Sequence, residues 1–469
     1  MNVLFIASEG NPFVKTGGLA DVIGSLPAAL SKKGLNVAVM LPDYGDIPPE
    51  LKGQMQLVKE LEVAVGWRRK YCGLKKMTRE GLTYYFIDNE YYFARTGLYG
   101  FLDEAERFAF FCSAALACLP YLEATPQILH CHDWQTGLIS VFLNSHYQDD
   151  PFYRSLKTVL TIHNLHYRGT FPAQVMGDVL GLGQEFFNFA GLEFYGQVSY
   201  LKGGLVFSDL LTTVSKTYAR EILTPRFGEK MEGVLQQRQD DLFGILNGID
   251  YGEYGSRFEP GQKKESKAAL QQLLGLPPAP QVPLFAVVSR LVNQKVDLLA
   301  RALTRLLSLD LQLVVLGTGD DRYAGYFHHY GRQFRHKMSV RLLFDEELAR
   351  KFYAGSDLFL MPSLFEPCGL SQLIAMHYGS IPVVRETGGL KDTVRDFDPE
   401  TGVGTGFSFS SEDSTALLDT VKRALRVYHD KKAWPKLVEN AVHADFSWSN
   451  SAGEYISLYK GLLDKKRGK

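Results

Sequence analysis

A lysine followed almost at once by two glycines, in Lys15-Thr16-Gly17-Gly18-Leu19-Ala20-Asp21-Val22, is the first stretch of this chain equipped for chemistry. Leu19, Val22, Ile23, Leu26 and Leu30 recur at helical spacing, so a helix starts near the glycine pair. Its first turn would present bare amides and the positive end of a helix dipole, a natural seat for an anion with Lys15 as counter-charge. The same letters return as Thr387-Gly388-Gly389-Leu390-Lys391-Asp392-Thr393-Val394. One such unit is a weak signal, because glycines often only close a strand-to-helix turn. Two of them in separate halves suggest two sheets, each directing a helix N-terminus at a shared cleft. Between them, Arg290 and Lys295 stand five residues apart after an apolar run, a pair suited to a diphosphate. A plain surface pair is the competing reading.

Other polar residues follow apolar runs where a simple turn would not need them. These are His130-Cys131-His132-Asp133, His163-Asn164, Gly317-Thr318-Gly319, Phe344 and Glu366-Pro367-Cys368-Gly369-Leu370. The carboxyl ends of parallel strands are where open α/β sheets place ligands. The His-Cys-His tract raises metal binding, but alternation along a strand sends His130 and His132 one way and Cys131 the other, which disfavours it. His163 is either a site residue or a hydrogen-bonded core histidine. Phe344 either points into the cleft or caps the core.

The elements that must position these residues follow a βαβ rhythm. In the first half the apolar run Val3-Leu4-Phe5-Ile6-Ala7 and residues 36–41, 84–88, 128–131, 158–162 and 210–214 read as strands. In the second, residues 284–289, 311–316, 340–344, 357–361, Ile381–Arg385 and 406–409 do so, with helices over 296–307, 346–353, 369–378 and 414–428. Glycines at 248, 252 and 255, a charged run at 263–267 and prolines at 277, 278 and 280 mark the crossing between halves. We expect an α/β protein of two doubly wound domains, residues 1–245 and 246–450. Helical periodicity from 451 toward the C-terminus either closes the second domain or packs back on the first.

A chain of 469 residues is too long for one core. A net charge of −1 gives no general attraction to nucleic acid or to an anionic membrane, and the basic cluster Lys465-Lys466-Arg467 with Lys469 reads as a solvated tail. Five cysteines without a Cys-x-x-Cys pair suit a reducing compartment. With no basic leader and no long uncharged apolar run, a cytoplasmic protein is expected.

Taken together, residues 15–22, 130–137, 161–169, Glu193-Phe194-Tyr195-Gly196 through 213, 246–250, 289–295, 365–372 and 385–394 resemble a known family. It is that of the bacterial glycogen synthases and plant starch synthases, retaining glycosyltransferases of the GT-B fold with two Rossmann-like domains. The resemblance spans nearly the whole chain. It implies transfer of glucose from ADP-glucose, a substrate and not a cofactor, to the non-reducing end of glycogen or another α-1,4-glucan. Carried over by motif, Lys15, Gly17, Gly18 and Asp21 help hold the nucleotide sugar, with Tyr99, Asp133 and Asn164 as further substrate contacts. His163 lies beside the sugar, Arg290 and Lys295 neutralise the departing diphosphate, and Glu366 binds sugar hydroxyls. Phe344 matches an aromatic, usually Tyr, that stacks on the base. Gly319, Cys368, Gly369 and Leu370 line the donor, Thr387, Gly388 and Gly389 offer amides to phosphate and sugar, and no metal is required. Val296 stands where many relatives have glycine. Ile374 occupies the place of a second glutamate common in sucrose- and trehalose-related transferases, which favours the synthases. The remaining alternatives are another retaining nucleotide-sugar glycosyltransferase and an inactive glucan-binding regulatory protein. The second would be expected to lack Lys15, His163, Arg290, Lys295 or Glu366, and all five are present.

Overall fold

The computed structural model describes residues 1–255 and 258–464, so the basic cluster beyond 464 lies outside the described residues. The chain divides into two compact units, Met1–Gly248 joined by the segment from Trp448 onward, and Ile249–Ser447.

The first unit is built on a nine-stranded sheet. Its strands are β1 (Asn2–Ile6), β2 (Asn36–Pro42), β3 (Gln56–Val65), β4 (Arg68–Arg79), β5 (Leu82–Asp88), β6 (Ile128–His132) and β7 (Lys157–Ile162). After a small antiparallel sheet of β8 (Thr170–Pro172), β9 (Glu193–Phe194) and β10 (Gln197–Ser199) come β11 (Leu210–Thr213) and β12 (Leu242–Gly244). The order β12-β11-β7-β6-β1-β2-β5-β4-β3 reverses direction between β1 and β6. All neighbours are parallel except β4 and β3 at one edge. Sequence reading misses those two strands because their faces carry lysine, arginine and glutamate. Such charge is what keeps an edge strand from pairing with another chain. The helix Gly18–Lys32 turns Leu19, Ala20, Val22, Ile23, Leu26 and Leu30 inward, as its periodicity predicts. The helix Trp448–Asp464 closes this unit: Ser451 Oγ donates to the Leu246 carbonyl at 2.6 Å, and Tyr459 is fully buried.

The second unit holds six parallel strands: β13 (Leu284–Val288), β14 (Gln312–Leu316), β15 (Met338–Arg341), β16 (Leu358–Met361), β17 (Ile381–Arg385) and β18 (Phe407–Phe409). Their order, β15-β14-β13-β16-β17-β18, reverses between β13 and β16. The strand expected over 340–344 is displaced. β15 ends at Arg341, opposite Leu316, the last residue of its partner β14, and the Gly317 N–H closes the ladder on the Arg341 carbonyl at 3.1 Å. Leu342, Leu343 and Phe344 therefore lie beyond the ladder, and Phe344 is 80% exposed. The helix expected from 296 begins at Asn293, which places Lys295 in its first turn.

Candidate functional site

In the first unit the candidate residues gather at the carboxyl ends of β1, β6 and β7, where the strand order reverses, as the rule for open sheets expects. The chain leaves β1 through Ser8 and Glu9, both buried. One Glu9 oxygen accepts the backbone N–H of Thr16 at 2.5 Å and its hydroxyl at 2.8 Å. This carboxylate is the hidden support of the Lys15 loop, and burial raises its pKa against those hydrogen bonds. Lys15 Nζ lies 2.9 Å from Asp21 Oδ1, which also accepts from Asn11 Nδ2 at 3.0 Å. Gly17 caps the helix with no side-chain hydrogen bond, and a Cβ on Gly18 would meet nothing within 4 Å. The helix start is open, as an anion seat requires.

Beside it stands a stack of histidines. His130 and His132 share one side of β6, with ring centroids 4.4 Å apart, as strand alternation predicts. The Tyr459 hydroxyl lies 2.7 Å from His130 Nδ1, and His130 Nε2 lies 2.6 Å from Thr161 Oγ1. His132 Nδ1 lies 2.9 Å from His163 Nε2, while His132 Nε2 is buried and meets no described partner. A bare acceptor is less costly there than an orphaned N–H. His132 therefore donates from Nδ1, and His163 holds its own proton on Nδ1. Burial lowers the pKa of His130 and of His163 to about 3, so both are neutral. Among the described residues no group of three or more His, Cys, Asp or Glu side chains is placed to hold a metal ion.

Asp133 is the strained member, at φ 56° and ψ −171°, a region that glycine alone visits freely. Its carboxylate accepts the His163 backbone N–H at 2.7 Å and ties the ends of β6 and β7 together. Burial pushes its pKa up to about 7. Asn164 spends its side-chain oxygen on His166 N–H in a turn, at 3.1 Å. Tyr99 reaches the same place from another loop, with its hydroxyl 2.8 Å from Ser8 Oγ. Arg107, fully buried, braces that loop by donating to the Tyr92 and Leu98 carbonyls.

The second unit repeats the placement with different chemistry. Lys295 Nζ is seated directly on the Glu366 carboxylate, which also accepts from Ser363 Oγ at 3.1 Å. The two come from opposite sides of the reversal, after β13 and β16, and Gln294 Nε2 donates to the Phe365 carbonyl at 2.7 Å to hold them in register. Arg290 is exposed and pairs with no described carboxylate. Its segment is clamped by Gly317-Thr318-Gly319: a Cβ on Gly317 would fall 1.8 Å from Ser289 O, and one on Gly319 would fall 2.4 Å from Leu291 O. Cys368 is buried, and Gly369, at φ 76°, turns the chain into Leu370, which precedes the helix Ser371–His377. Gln372 Nε2 fastens that turn through the Cys368 and Gly369 carbonyls at 3.2 and 2.9 Å.

The second glycine pair differs from the first. A Cβ on Gly388 would sit 2.0 Å from Glu366 O, and one on Gly389 2.0 Å from Cys368 O. The Gly389 N–H is turned toward the Glu366 and Pro367 carbonyls at 3.2 and 3.1 Å. Thr387 is fully buried. These glycines let β17 and the Glu366 loop approach closely. Phe344 stands free of the core just before Asp345, whose carboxylate caps the helix Glu346–Gly355.

Sequence reasoning missed Glu9 and Asn11 as supports of the site, and singled out His132 without its contact to His163. The available signal was a carboxylate placed directly after a buried parallel strand, in Ala7-Ser8-Glu9.

Two doubly wound α/β units, each carrying charged and glycine-bearing loops where its strand order reverses, have the architecture of the GT-B glycosyltransferases. The family model described as starch synthase catalytic domain matches residues 2–237, and that of glycosyl transferases group 1 matches residues 257–441. Glycogen synthase from Desulforamulus reducens is 52% identical, with 99% of each chain covered. One from Bacillus cereus is 48% identical over 99% of this chain and all of its own. The catalytic domain of starch synthase IV from Arabidopsis thaliana, solved with ADP and acarbose bound, superposes with a TM-score of 0.90 at 35% identity, with 99% of both chains covered. Sucrose-phosphate synthase from Thermosynechococcus elongatus, at 18% identity and a TM-score of 0.63, shares the fold. The chain belongs to the glycogen synthase family of glycosyltransferases.

Proposed function

We propose that this enzyme transfers glucose from ADP-glucose to the non-reducing end of an α-1,4-glucan with retention of the α configuration. The observation that carries this reading is the cation arrangement of the second unit. Lys295 is aimed by Glu366, itself held by Ser363, and Arg290 five residues earlier extends from a loop locked by the Gly317 and Gly319 contacts. When the nucleoside diphosphate departs, negative charge grows on its oxygens while the glucosyl carbon gains oxocarbenium character. Cations held in place beforehand stabilise that charge without reorganising at the moment of reaction. Arg290 and Lys295 take this role, and Phe344 stacks on the adenine.

In the first unit, Lys15 and the open start of the helix Gly18–Lys32 receive the donor's anionic groups. Neutral His163, with its proton on Nδ1, donates a hydrogen bond to the sugar. No side chain is assigned as a covalent nucleophile: the leaving phosphate takes the acceptor hydroxyl's proton on the face it departs from. We assign no metal or cofactor. Five buried cysteines, all free thiols, suit a reducing cytoplasm.

The test offers purified protein and glycogen either ADP-glucose or UDP-glucose and measures nucleoside diphosphate release and chain growth. ADP release that depends on added glucan, with an α-linked product, is expected. Release independent of glucan, a preference for UDP-glucose, or a β-linked product would each overturn the corresponding part of the proposal.

A further inference from the structure

The strands β9 and β10 pair antiparallel, with Phe194 opposite Gln197, and are joined by the two residues Tyr195 and Gly196. Their φ angles of 49° and 79° are both positive, as a two-residue turn matching the strand twist requires. Asparagine, aspartate or glycine fills the first position at least cost, whereas a bulky L-residue there crowds its own backbone. Tyr195 takes on that crowding and recovers nothing by burial, for it is 72% exposed.

A second loop tip meets it. Glu229 and Lys230 are consecutive left-handed non-glycine residues, at φ 51° and 67°, and Lys230 Nζ lies 4.9 Å from the Tyr195 ring centroid. Glu229 is held by Arg168 at 2.7 Å and His166 at 3.2 Å, and the Arg168 guanidinium lies 5.9 Å from the Phe194 ring. Beneath the hairpin, buried Lys202 donates to the Glu193 and Phe189 carbonyls, so the platform is braced from inside. The strip is continuous with the site. His166 N–H donates to Asn164 Oδ1, Tyr167 N–H donates to Asn164 O, and Tyr167 is itself 52% exposed.

Two exposed rings set among charged groups, Tyr195 backed edge-on by half-buried Phe194 with centroids 4.9 Å apart, do not make the contiguous apolar patch of a protein interface. They match a pyranose, which offers one face of C–H bonds to a ring and a rim of hydroxyls to charged donors and acceptors. We propose that Tyr195, with Lys230, Glu229 and Tyr167, is a contact for the α-glucan acceptor away from its reacting end. This rests on the glucosyl-transfer reading above and extends it to residues outside the reacting centre.

The test compares Tyr195→Asn and Tyr195→Phe with the wild-type chain, using glycogen and maltooligosaccharides of increasing length. Tyr195→Asn relieves the turn, so its Tm is expected to equal or exceed that of wild type. Its KM for glycogen should rise several-fold, its KM for the donor should stay the same, and the benefit of longer oligosaccharides should disappear. Tyr195→Phe, which keeps the ring, should behave as wild type. Wild-type transfer with an unchanged glycogen KM in Tyr195→Asn would overturn this inference alone. A wild-type chain that transfers no glucose to any glucan would overturn the parent reading and this one with it.

Discussion

Lys295 and Arg290 carry the same charge five residues apart and are held in opposite ways. Lys295 is neutralised in place by Glu366, which is 6% exposed, whereas Arg290 extends from a loop with no described acid against it. Arg290→Ala should therefore lower turnover by roughly a hundredfold, by analogy with loss of one oxyanion donor, and leave Tm unchanged. Lys295→Ala should lose similar turnover and also fold stability of about 1–3 kcal/mol, because it strands a buried carboxylate. Pairing Lys295→Met with Glu366→Gln should restore Tm and not turnover. Wild-type turnover at saturating donor in both single variants would show the pair to be structural. Phe344 belongs to the same scale. Its exposure removes the core-cap reading that the sequence left open. Loss of a base–aromatic contact of about 1–3 kcal/mol predicts that Phe344→Ala raises the donor KM by roughly 5- to 150-fold and barely moves turnover. Phe344→Tyr should be near neutral. A fall in Tm with unchanged donor KM would refute the stacking role.

At the scale of elements, the two Thr-Gly-Gly-Leu segments are alike in letters and opposite in use. Gly18 opens the helix Gly18–Lys32 onto free space, while Gly388 and Gly389 are pressed against the backbone of the Glu366 loop. Gly18→Ala should keep or slightly raise stability, since alanine is favoured over glycine in a helix by up to about 1 kcal/mol. It should still impair donor binding by crowding the amides. Gly389→Ala should cost about 3 kcal/mol or more, because its Cβ overlaps a carbonyl oxygen and backbone must move. Denaturant titration of both variants checks this, and equal losses would refute the distinction. The repeated motif was legible in the sequence, but which copy faces outward depends on the loop opposite it.

At the scale of the whole molecule, the second unit is inserted between Gly248 and Trp448 of the first, and the last helix returns to complete the first unit's core. Tyr459 on that helix is the hydrogen-bond partner of buried His130 Nδ1. Tyr459→Phe should remove about 1–3 kcal/mol from the first unit by leaving His130 Nδ1 unmet, seen as a lower first transition in calorimetry. The same cluster sets the response to acid. His130 and His163 are held neutral down to about pH 3, whereas an unfolded histidine protonates near pH 6.5. Their contribution is complete above pH 6.5 and is lost as pH falls toward 3. Asp133, raised to about 7, acts in the opposite sense: its contribution is present below its unfolded value and lost as pH rises through 7. With three clustered histidines, His132 being likewise held neutral by burial, against the raised carboxyls of Asp133 and Glu9, stability of the first unit should decline from pH 6.5 to pH 4. A flat or rising Tm over that interval would contradict the neutral-histidine cluster.

What the sequence determined by itself is local: apolar runs that become parallel strands, the helical spacing after Gly18, the shared side of His130 and His132, and the family motifs that carry the candidate site residues. These depend on periodicity and neighbouring residues, which a linear chain already contains. Only tertiary structure decided that β15 stops at Arg341 and leaves Phe344 bare, because a strand ends where its partner ends. It likewise decided that Glu9 underlies the Lys15 loop and that Glu366 carries Lys295. The Lys295–Glu366 pair joins segments that follow different strands and exists only once the strand order brings their ends together, whereas the Glu9 contact needs the loop after β1 to fold back on itself between residues 9 and 16.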